Sequence, residues 1–416
     1  MKIAIVGAGI IGVTTAYELA SDGHEVTVFE QRSAAAEDAS FAPAGLLGPH
    51  LLNPWAAPGL GHAVRLMGAH ATLRLAGGLS RANLAWLLRW RAAARARTAP
   101  AAALEGLAQY SQARLKAIAS QHELDFESSD GRLVLLRTEQ DVARMQPALQ
   151  VLRDSGVALR EISADVARHI EPGLSPEAPL AGAIHLPDAG AGNCRLFAQL
   201  LRLGVQAAPG HEGSGVQFAF NTRVARIHTS PTGVALQGEP DMRRFDAVVL
   251  CAGMASAALM PALGLRLPMV AVHGYSVSAP LREATHAPRA SVVDAAEQIS
   301  ITRLGNRVRI AGGAELAGAE AAHHTPTLQR LYRTLNDWFP GGAQLSSGLQ
   351  VWRGARPMLP DGAPVVGASG VPGLWINTGH GAGGWALACG CARAVADLIA
   401  QREPEVSLDG LGMRPF

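Results

Sequence analysis

The run Gly7-Ala8-Gly9-Ile10-Ile11-Gly12 is the first stretch of the chain whose residue types and spacing could do chemistry. Glycines at the first, third and sixth places permit a tight turn, a close approach of a pyrophosphate to backbone N–H groups, and close packing of a following helix. Glu30 stands 23 positions after the first glycine, where a carboxylate can accept hydrogen bonds from an adenosine ribose and repel a 2′-phosphate. The pattern predicts a dinucleotide site that disfavours NADP.

The elements that must position this run are predicted as well. Residues 2–6 are an apolar run typical of a buried parallel strand, residues 10–20 have the apolar spacing of a helix that Gly23 ends, and residues 25–29 form a second strand. Strand, glycine turn, helix and strand in this order favour the dinucleotide interpretation, and a glycine-rich turn without a ligand is the alternative. The run alone does not distinguish NAD from FAD.

A second glycine-rich segment, Gly379-His380-Gly381-Ala382-Gly383-Gly384, precedes a helix predicted from Trp385 to about Ile399. The unpaired N–H groups at a helix N-terminus favour negative charge, so this segment could stabilise the negative charge of a reduced cofactor. A glycine-rich loop that only caps a surface helix is the alternative.

Arg356 is a candidate for binding a carboxylate, because a guanidinium can donate two parallel hydrogen bonds and a lysine cannot reproduce that geometry. An ion pair with a nearby acid such as Asp361 is the alternative. Arg353 is expected to be structural. The segment reads Arg353-Gly354-Ala355-Arg356-Pro357-Met358-Leu359-Pro360-Asp361-Gly362.

Taken together, these segments resemble the D-amino-acid oxidase superfamily of FAD enzymes, and within it the bacterial D-amino-acid dehydrogenase small subunits. The resemblance runs from residue 1 to about residue 400 and is weakest between residues 60 and 180. Three further segments carry it: Ser40-Phe41-Ala42-Pro43-Ala44-Gly45, Asn53-Pro54-Trp55-Ala56-Ala57-Pro58-Gly59 and Phe245-Asp246-Ala247-Val248-Val249-Leu250-Cys251-Ala252-Gly253.

The resemblance implies FAD as the cofactor. Some relatives attach the flavin to a cysteine, and Gly354 stands at the matching place here, so we expect non-covalent binding. The cofactor contacts that the resemblance implies are Gly7, Gly9, Ile10, Ile11, Gly12, Glu30, Gln31, Ser40, Ala44, Gly45, Val224, Ala252, Gly253, Gly379, Gly381, Gly383 and Gly384.

The activity that the resemblance implies is oxidation of a D-amino acid by hydride transfer from Cα to flavin N5, followed by hydrolysis to a 2-oxo acid and ammonia. Arg356, Tyr275 and His380 are the implied catalytic residues. Arg356 would hold the substrate carboxylate, and Tyr275 would offer a hydroxyl to the substrate unless it is a core residue. His380 would orient the flavin or the loop backbone. No protein base is required, because a neutral amine needs only orientation and desolvation.

Two departures from the related dehydrogenases bear on the substrate or the acceptor. Pro43 stands where those enzymes usually have Asn, which removes a side-chain amide near the flavin. His273 stands where they usually have Lys, and it is equally consistent with a core histidine.

The predicted fold class is α/β and α+β: a Rossmann-like FAD-binding domain with a second, antiparallel-sheet substrate domain. Residues 1–60, 185–268 and 345–416 are assigned to the first domain, and residues 61–184 and 269–344 to the second. A strand over residues 269–279 and a hairpin of residues 300–303 and 308–312 are expected in the substrate domain.

Composition excludes several classes of protein. The 416 residues are 48% hydrophobic and 17% charged with a net charge of +2, which fits neither a disordered chain nor a nucleic-acid binder. The four cysteines lack metal-site spacing, so no metal is expected, and buried thiols in a reducing compartment are predicted. The apolar run of residues 3–6 is too short for a signal peptide, and prolines and glycines interrupt the long charge-free stretches, residues 39–64 and 363–392. We therefore expect no signal peptide, no transmembrane segment and a cytoplasmic location.

A basic segment raises the question of a peripheral membrane contact. Residues 39–104 contain no Asp or Glu but seven arginines, at positions 65, 74, 81, 89, 91, 95 and 97. An arginine-, tryptophan- and leucine-rich helix can lie in a membrane interface, from which electrons would pass to a quinone. A helix that packs on the substrate domain with solvated arginines is the alternative.

Three rival functions remain at this stage. The chain could be an oxidase that uses O₂ on glycine, sarcosine or a cyclic imino acid resembling D-proline. An NAD-dependent dehydrogenase would leave the C-terminal glycine segment without a role. A flavin-binding assembly module would show no turnover.

Overall fold

The computed structural model describes residues 1–49, 73–76, 80–96, 100–207, 215–318 and 321–416. The segment Asn53–Gly59 and the arginines at positions 65 and 97 lie outside these ranges. The strands are β1 Lys2–Val6, β2 Glu25–Phe29, β3 Leu46–Leu47, β4 Arg74–Leu75, β5 Ser129–Leu136, β6 Arg160–Ile162, β7 Gly182–Ala191, β8 Gly215–Ala219, β9 Val224–Thr229, β10 Thr232–Leu236, β11 Met242–Arg244, β12 Ala247–Leu250, β13 Val270–Pro280, β14 Ser291–Asp294, β15 Ile299–Leu304, β16 Arg307–Leu316, β17 Gln350–Met358, β18 Val365–Ala368 and β19 Leu374–Thr378.

The helices connect and cover these strands. They are α1 Ile10–Ser21, α2 Arg81–Ala96, α3 Ala101–Gln121, α4 Glu139–Asp154, α5 Ala164–Ile170, α6 Cys194–Ala207, α7 Ser256–Leu259, α8 Thr325–Trp338 and α9 Gly384–Ile399. A 3₁₀ turn over Gly381–Gly383 leads directly into α9.

The first sheet has the order β18-β19-β12-β1-β2-β8 in the part of the chain described. Its strands run parallel except for β18, which pairs antiparallel with β19. Alternate residues of β1 face opposite sides: Ile3 and Ile5 pack with α1, α6 and α9, while Ala4 and Val6 pack with the small β9–β11 sheet. This double burial explains why β1 is a continuous apolar run.

The second sheet has the order β17-β13-β16-β15-β14-β5-β7-β3, and α8 packs against β13, β15 and β16. Most neighbours run antiparallel, as predicted, but β5 pairs parallel with β14 and β4 pairs parallel with β16. The strand predicted over residues 269–279 is β13, and the predicted hairpin is β15 and β16 with Gly305 in its turn.

The two sheets divide the chain differently from the predicted domains at several places. Residues 46–47 (β3) and residues 185–191 of β7 were assigned to the FAD-binding domain but belong to the second sheet, and α3, assigned to the substrate domain, packs against α9 on the first sheet. The largest difference concerns β17. Residues 345–416 were all assigned to the FAD-binding domain, yet Gln350–Met358 is β17, an edge of the second sheet that pairs with β13 along its length. The chain enters the first sheet only with Val365–Ala368. Arg356 therefore reaches the site from the substrate domain.

Helix α9 lies in the interior. The stretch Gly381–Ile399 is, within the described ranges, the one helix long and apolar enough to cross a membrane, but 83% of its most apolar window is buried in the protein. Its arginine is also used internally, since Arg393 Nη1 lies 2.9 Å from Glu18 Oε2 in α1. A core helix has this composition because it is covered on all sides.

Candidate active site

A cavity of about 770 Å³ lies between the two sheets. This is within the range of cavities that hold organic cofactors and substrates. Residues from both sheets line it, together with the segments 37–49 and 377–386. Every predicted cofactor contact and catalytic residue lines this cavity except Gly12.

The glycine turn after β1 brings three backbone segments into contact. Gly7 has a φ of +103°, and a Cβ there would lie 2.7 Å from the Cys251 carbonyl oxygen at the end of β12. A Cβ on Gly12 would lie 1.9 Å from the Gly7 carbonyl oxygen. Gly12 is therefore a packing residue for α1, which is the role that the spacing predicted, and it need not touch a ligand.

Side chains fix the backbone around this turn. Ser40 Oγ accepts a hydrogen bond from Ile10 N–H at 3.0 Å, so it caps the first turn of α1. The Glu30 carboxylate accepts hydrogen bonds from the N–H groups of Ala8 and Arg32, both at 2.8 Å. These bonds hold Glu30 at the cavity with lone pairs left for the hydroxyls of a ribose.

Residues 42–47, which we call the strap, cross the cavity between the glycine turn and the second sheet. Its backbone carbonyls are held by side chains from three elements: Arg309 Nη1 donates to Pro43 O at 3.1 Å, Thr302 Oγ1 to Ala44 O at 3.0 Å, and Trp385 Nε1 to Gly45 O at 3.2 Å. The N–H groups of Ala44 and Gly45 make no hydrogen bond within the described ranges. They are available to a ligand.

Arg356 lies on β17 and faces the cavity. Its Nη1 donates to the Gly313 carbonyl at 3.0 Å, and a Cβ on Gly274 would lie 2.1 Å from its Nη2. No acidic side chain pairs with it in the described part of the chain. Asp361, the alternative partner, instead pairs with Arg414 at 2.8 Å. Burial lowers the pKa of Arg356 to about 10, so the guanidinium stays charged at neutral pH.

Tyr275 lines the cavity, and its hydroxyl is already hydrogen-bonded within the protein. The hydroxyl donates to Glu315 Oε2 at 2.7 Å and accepts from the His324 N–H at 3.1 Å. Burial and this bond to Glu315 raise the pKa of Tyr275. Glu315 also lies 3.8 Å from Arg353, which accords with the structural role expected for that arginine.

The two histidines differ in position. His380 is buried, lines the cavity, and accepts a hydrogen bond from Gly383 N–H at 2.9 Å through its carbonyl, so it orders the loop before α9. His273 is buried on β13 but does not line the cavity. Burial, followed by the charge of Arg353, lowers the pKa of His273.

Two of the four cysteines, Cys194 and Cys251, line the cavity. Burial raises the pKa of Cys251 to about 12 and that of Cys194 further, so both remain thiols. Within the described ranges, no group of three or more His, Cys, Asp or Glu side chains is placed to hold a metal ion.

The residues present fit FAD. The cavity has at one end the glycine turn and α1 N-terminus for a pyrophosphate, with Glu30 beside them for a ribose, and it has unpaired N–H groups on the strap. Sequence reasoning missed Thr302 and Arg309, which hold the strap, and Arg132, which donates to Leu47 O. They are isolated polar residues in strands, and no motif marks them.

Comparisons with known proteins agree with this description. A family model described as FAD dependent oxidoreductase matches residues 2–398. The chain is 40% identical to the D-amino acid dehydrogenase of Cereibacter sphaeroides, over 100% of this chain and 95% of that protein. Among solved structures, glycine oxidase from Bacillus cereus has a TM-score of 0.73 at 21% identity, covering 100% of this chain and 99% of that one. L-proline dehydrogenase from P. horikoshii has a TM-score of 0.73 at 17% identity, covering 99% and 96%.

Replacing Gly7 with Ala is expected to weaken FAD binding strongly, because the methyl group would force the turn away from Cys251 O. Strain of about 3 kcal/mol would correspond to an affinity roughly 10²-fold weaker. The measurement is the FAD dissociation constant of the apoprotein by fluorescence titration. Gly238→Ala is the matched control, since Gly238 has a φ of +87° with nothing within 4 Å of a Cβ. A Gly7→Ala protein with wild-type affinity would contradict the proposed turn.

Proposed function

Because the chain belongs to the family of FAD-dependent oxidoreductases, we propose that it is a D-amino-acid dehydrogenase. It would convert D-amino acids to 2-oxo acids and ammonia, with FAD held non-covalently and electrons passed to a quinone-type acceptor. The main observation in support is the position of Arg356. Its guanidinium has no acidic partner in the described ranges, and it lies in the wall of the same cavity that the glycine turn lines. The likeness to the C. sphaeroides dehydrogenase supports the D enantiomer.

Arg356 would bind the substrate carboxylate. One of its N–H groups is used by the Gly313 carbonyl, which fixes the guanidinium plane, and the others remain for two parallel bonds to a carboxylate. Holding the carboxylate restricts the position of Cα, and this orientation is the main contribution that the protein makes to the step. The Tyr275 ring would close the wall beside it.

FAD, when bound, would supply the acceptor for the Cα hydrogen and its electron pair, and the residues around the cavity would hold the substrate in position for that transfer. The substrate thereby loses two electrons and becomes an imino acid, which water hydrolyses to the 2-oxo acid and ammonia. Two of the three candidate groups are unsuited to act as a protein base, and the third, His380, lines the cavity and is assigned to ordering the loop before α9. His273 lies outside the cavity wall, and the proton of Tyr275 is donated to Glu315.

Two further features of the cavity wall bear on how FAD would be held: the N-terminus of α9 and the state of two cysteines. The N-terminus of α9 lines the cavity, so its N–H groups would favour negative charge on the bound flavin. Non-covalent binding is supported by the protonated state of Cys194 and Cys251, because a thiol is a poor nucleophile compared with a thiolate.

Replacing Arg356 with Leu should raise the KM for D-amino acids and lower kcat, because the carboxylate loses its charge-assisted bonds. A loss of about 3 kcal/mol corresponds to kcat/KM at least roughly 10²-fold lower. Steady-state kinetics on a panel of D-amino acids measures this, and flavin absorbance checks that FAD stays bound. Arg282→Leu, an exposed position, is the control. Unchanged kinetics in Arg356→Leu would exclude the assignment.

The acceptor separates this proposal from its rival, an oxidase of glycine, sarcosine or a cyclic imino acid. We expect turnover with a quinone analogue or a redox dye and little hydrogen peroxide in air. The measurement is peroxide formed per 2-oxo acid produced, with and without the quinone analogue. One peroxide for each product in air, at an undiminished rate, would favour the oxidase.

Helix α2 supports a peripheral membrane contact on the inner face of the cell membrane, from which a quinone could be reached. Its tryptophans are not part of the outer face: Trp86 and Trp90 pack inward, and Trp86 Nε1 donates to Met358 O at 3.1 Å. Leu84 and Leu88 are 48% and 62% exposed. With the exposed Arg81, Arg91 and Arg95 they form one stripe at helical spacing.

The protein is expected to pellet with vesicles that contain anionic lipid at low salt, and less so at high salt, because arginines are attracted to anionic headgroups. The double variant Leu84→Ser and Leu88→Ser should bind less at low salt. A control on the inner side of α2 is unsuitable, because replacing buried residues there would disrupt folding. The matched control is Leu203→Ser, which removes an exposed leucine from α6. Absence of wild-type binding at low salt would remove the membrane contact from the proposal.

A further inference from the structure

A row of buried polar residues crosses the second sheet under the strap. Arg132, Ser291, Thr302, Arg309 and Ser278 lie opposite one another on the successive strands β5, β14, β15, β16 and β13. All five are buried. Polar groups at such positions are costly unless they have partners, so the row requires an explanation beyond packing.

The strap supplies part of that explanation, because residues on three of the five strands donate hydrogen bonds to it. Leu47 O accepts from Arg132 on β5, Ala44 O from Thr302 on β15, and Pro43 O from Arg309 on β16. The C=O of one residue and the N–H of the next point in opposite directions across a trans peptide. Since the carbonyls of Pro43 and Ala44 are turned to the sheet, the N–H groups of Ala44 and Gly45 are turned away from it.

The row also carries charge. Arg132 and Arg309 are only 4% and 8% exposed, and neither forms an ion pair in the part of the chain that the structure describes. The Nε of each has no hydrogen-bond partner there. Burial lowers the pKa of both to about 10, so both are protonated at neutral pH. The charge of Glu105 partly offsets the effect of burial on the pKa of Arg132, and that of Glu127 does the same for Arg309.

We propose that Arg132 and Arg309 are positioning residues that act on the flavin through the strap. They hold the strap with the N–H groups of Ala44 and Gly45 towards the cofactor, and their positive charges stabilise the negative charge that the flavin gains on reduction. The reduction potential is raised as a result, which favours electron uptake from an amino acid. The inference rests on the binding of FAD in this cavity, which belongs to the proposed function.

Arg309 is the better residue for the test, because it does not line the cavity and its replacement leaves the wall unchanged. Arg309→Gln removes the charge and keeps a donor for Pro43 O, whereas Arg309→Lys keeps the charge. Thr302→Val removes one bond to the strap and leaves every charge in place. Arg303→Gln is the matched control: the same loss of charge on β15, at a side chain that donates to the Gly305 carbonyl in the hairpin turn.

The holoproteins are compared by equilibrating bound FAD with a reference dye during reduction, and the FAD dissociation constant is measured on each apoprotein. In Arg309→Gln the equilibrium constant for flavin reduction should fall about tenfold. This is the effect expected when one positive charge is removed about 10 Å from a negative charge at an effective dielectric constant of about 20. Arg309→Lys and Arg303→Gln should stay at the wild-type value. Thr302→Val should weaken FAD binding more than it changes the reduction equilibrium.

Several outcomes overturn the inference. A wild-type reduction equilibrium in Arg309→Gln does so, and so does an equal shift in Arg303→Gln, which would indicate a general charge effect. If Arg309→Gln does not fold, Arg132→Gln replaces it with the same expectation. If the wild-type protein binds no FAD, the proposed function is wrong, and this inference is wrong with it.

Discussion

The active site depends on how closely three backbone segments meet at Gly7. The end of β1, the first turn of α1 and the end of β12 come together without any Cβ between them, because side chains at Gly7 and Gly12 would overlap carbonyl oxygens. This contact places the N-terminus of α1 at the cavity and keeps β12 beside β1 in the sheet. Side chains at these positions would push the strands apart and would fill the space where a pyrophosphate approaches the backbone.

The distribution of acids leaves Arg356 without an acidic partner in the described part of the chain. Glu315 is occupied by Tyr275 at 2.7 Å, by Arg74 at 3.3 Å and by Arg353 at 3.8 Å. Asp361 is occupied by Arg414. Within the described residues, Arg356 is therefore left with the Gly313 carbonyl and without an acidic partner for its charge. Buried cations are costly when unpaired, so this arrangement is typical of a functional site and is not expected from stability alone.

The parts of the site that could be predicted are those whose signal is local in the chain. Two examples are the glycine turn with its strand and helix, and the segment before α9. Each motif spans only a few residues, so the spacing of its glycines indicates the backbone geometry directly. The strap contacts could not be predicted, because Arg309 reaches Pro43 across 266 positions and Thr302 reaches Ala44 across 258. The direction of the Tyr275 hydroxyl depends in the same way on Glu315, 40 positions later. Strand β17 was misassigned because the motif around Arg356 carries no information about which sheet its strand joins.

The strap belongs by chain position to the nucleotide-binding part, yet its carbonyls are held by the second sheet. During synthesis from the N-terminus, the glycine turn can form long before β15 and β16 leave the ribosome. The cavity is completed only when those strands dock, so the two parts of the chain share one binding site that neither can assemble alone. Any molecule held between them binds the docked arrangement and stabilises it by mass action. Cofactor capture and the joining of the two parts are thus thermodynamically linked, and the flavin acts as a structural component of the mature enzyme as well as its reagent.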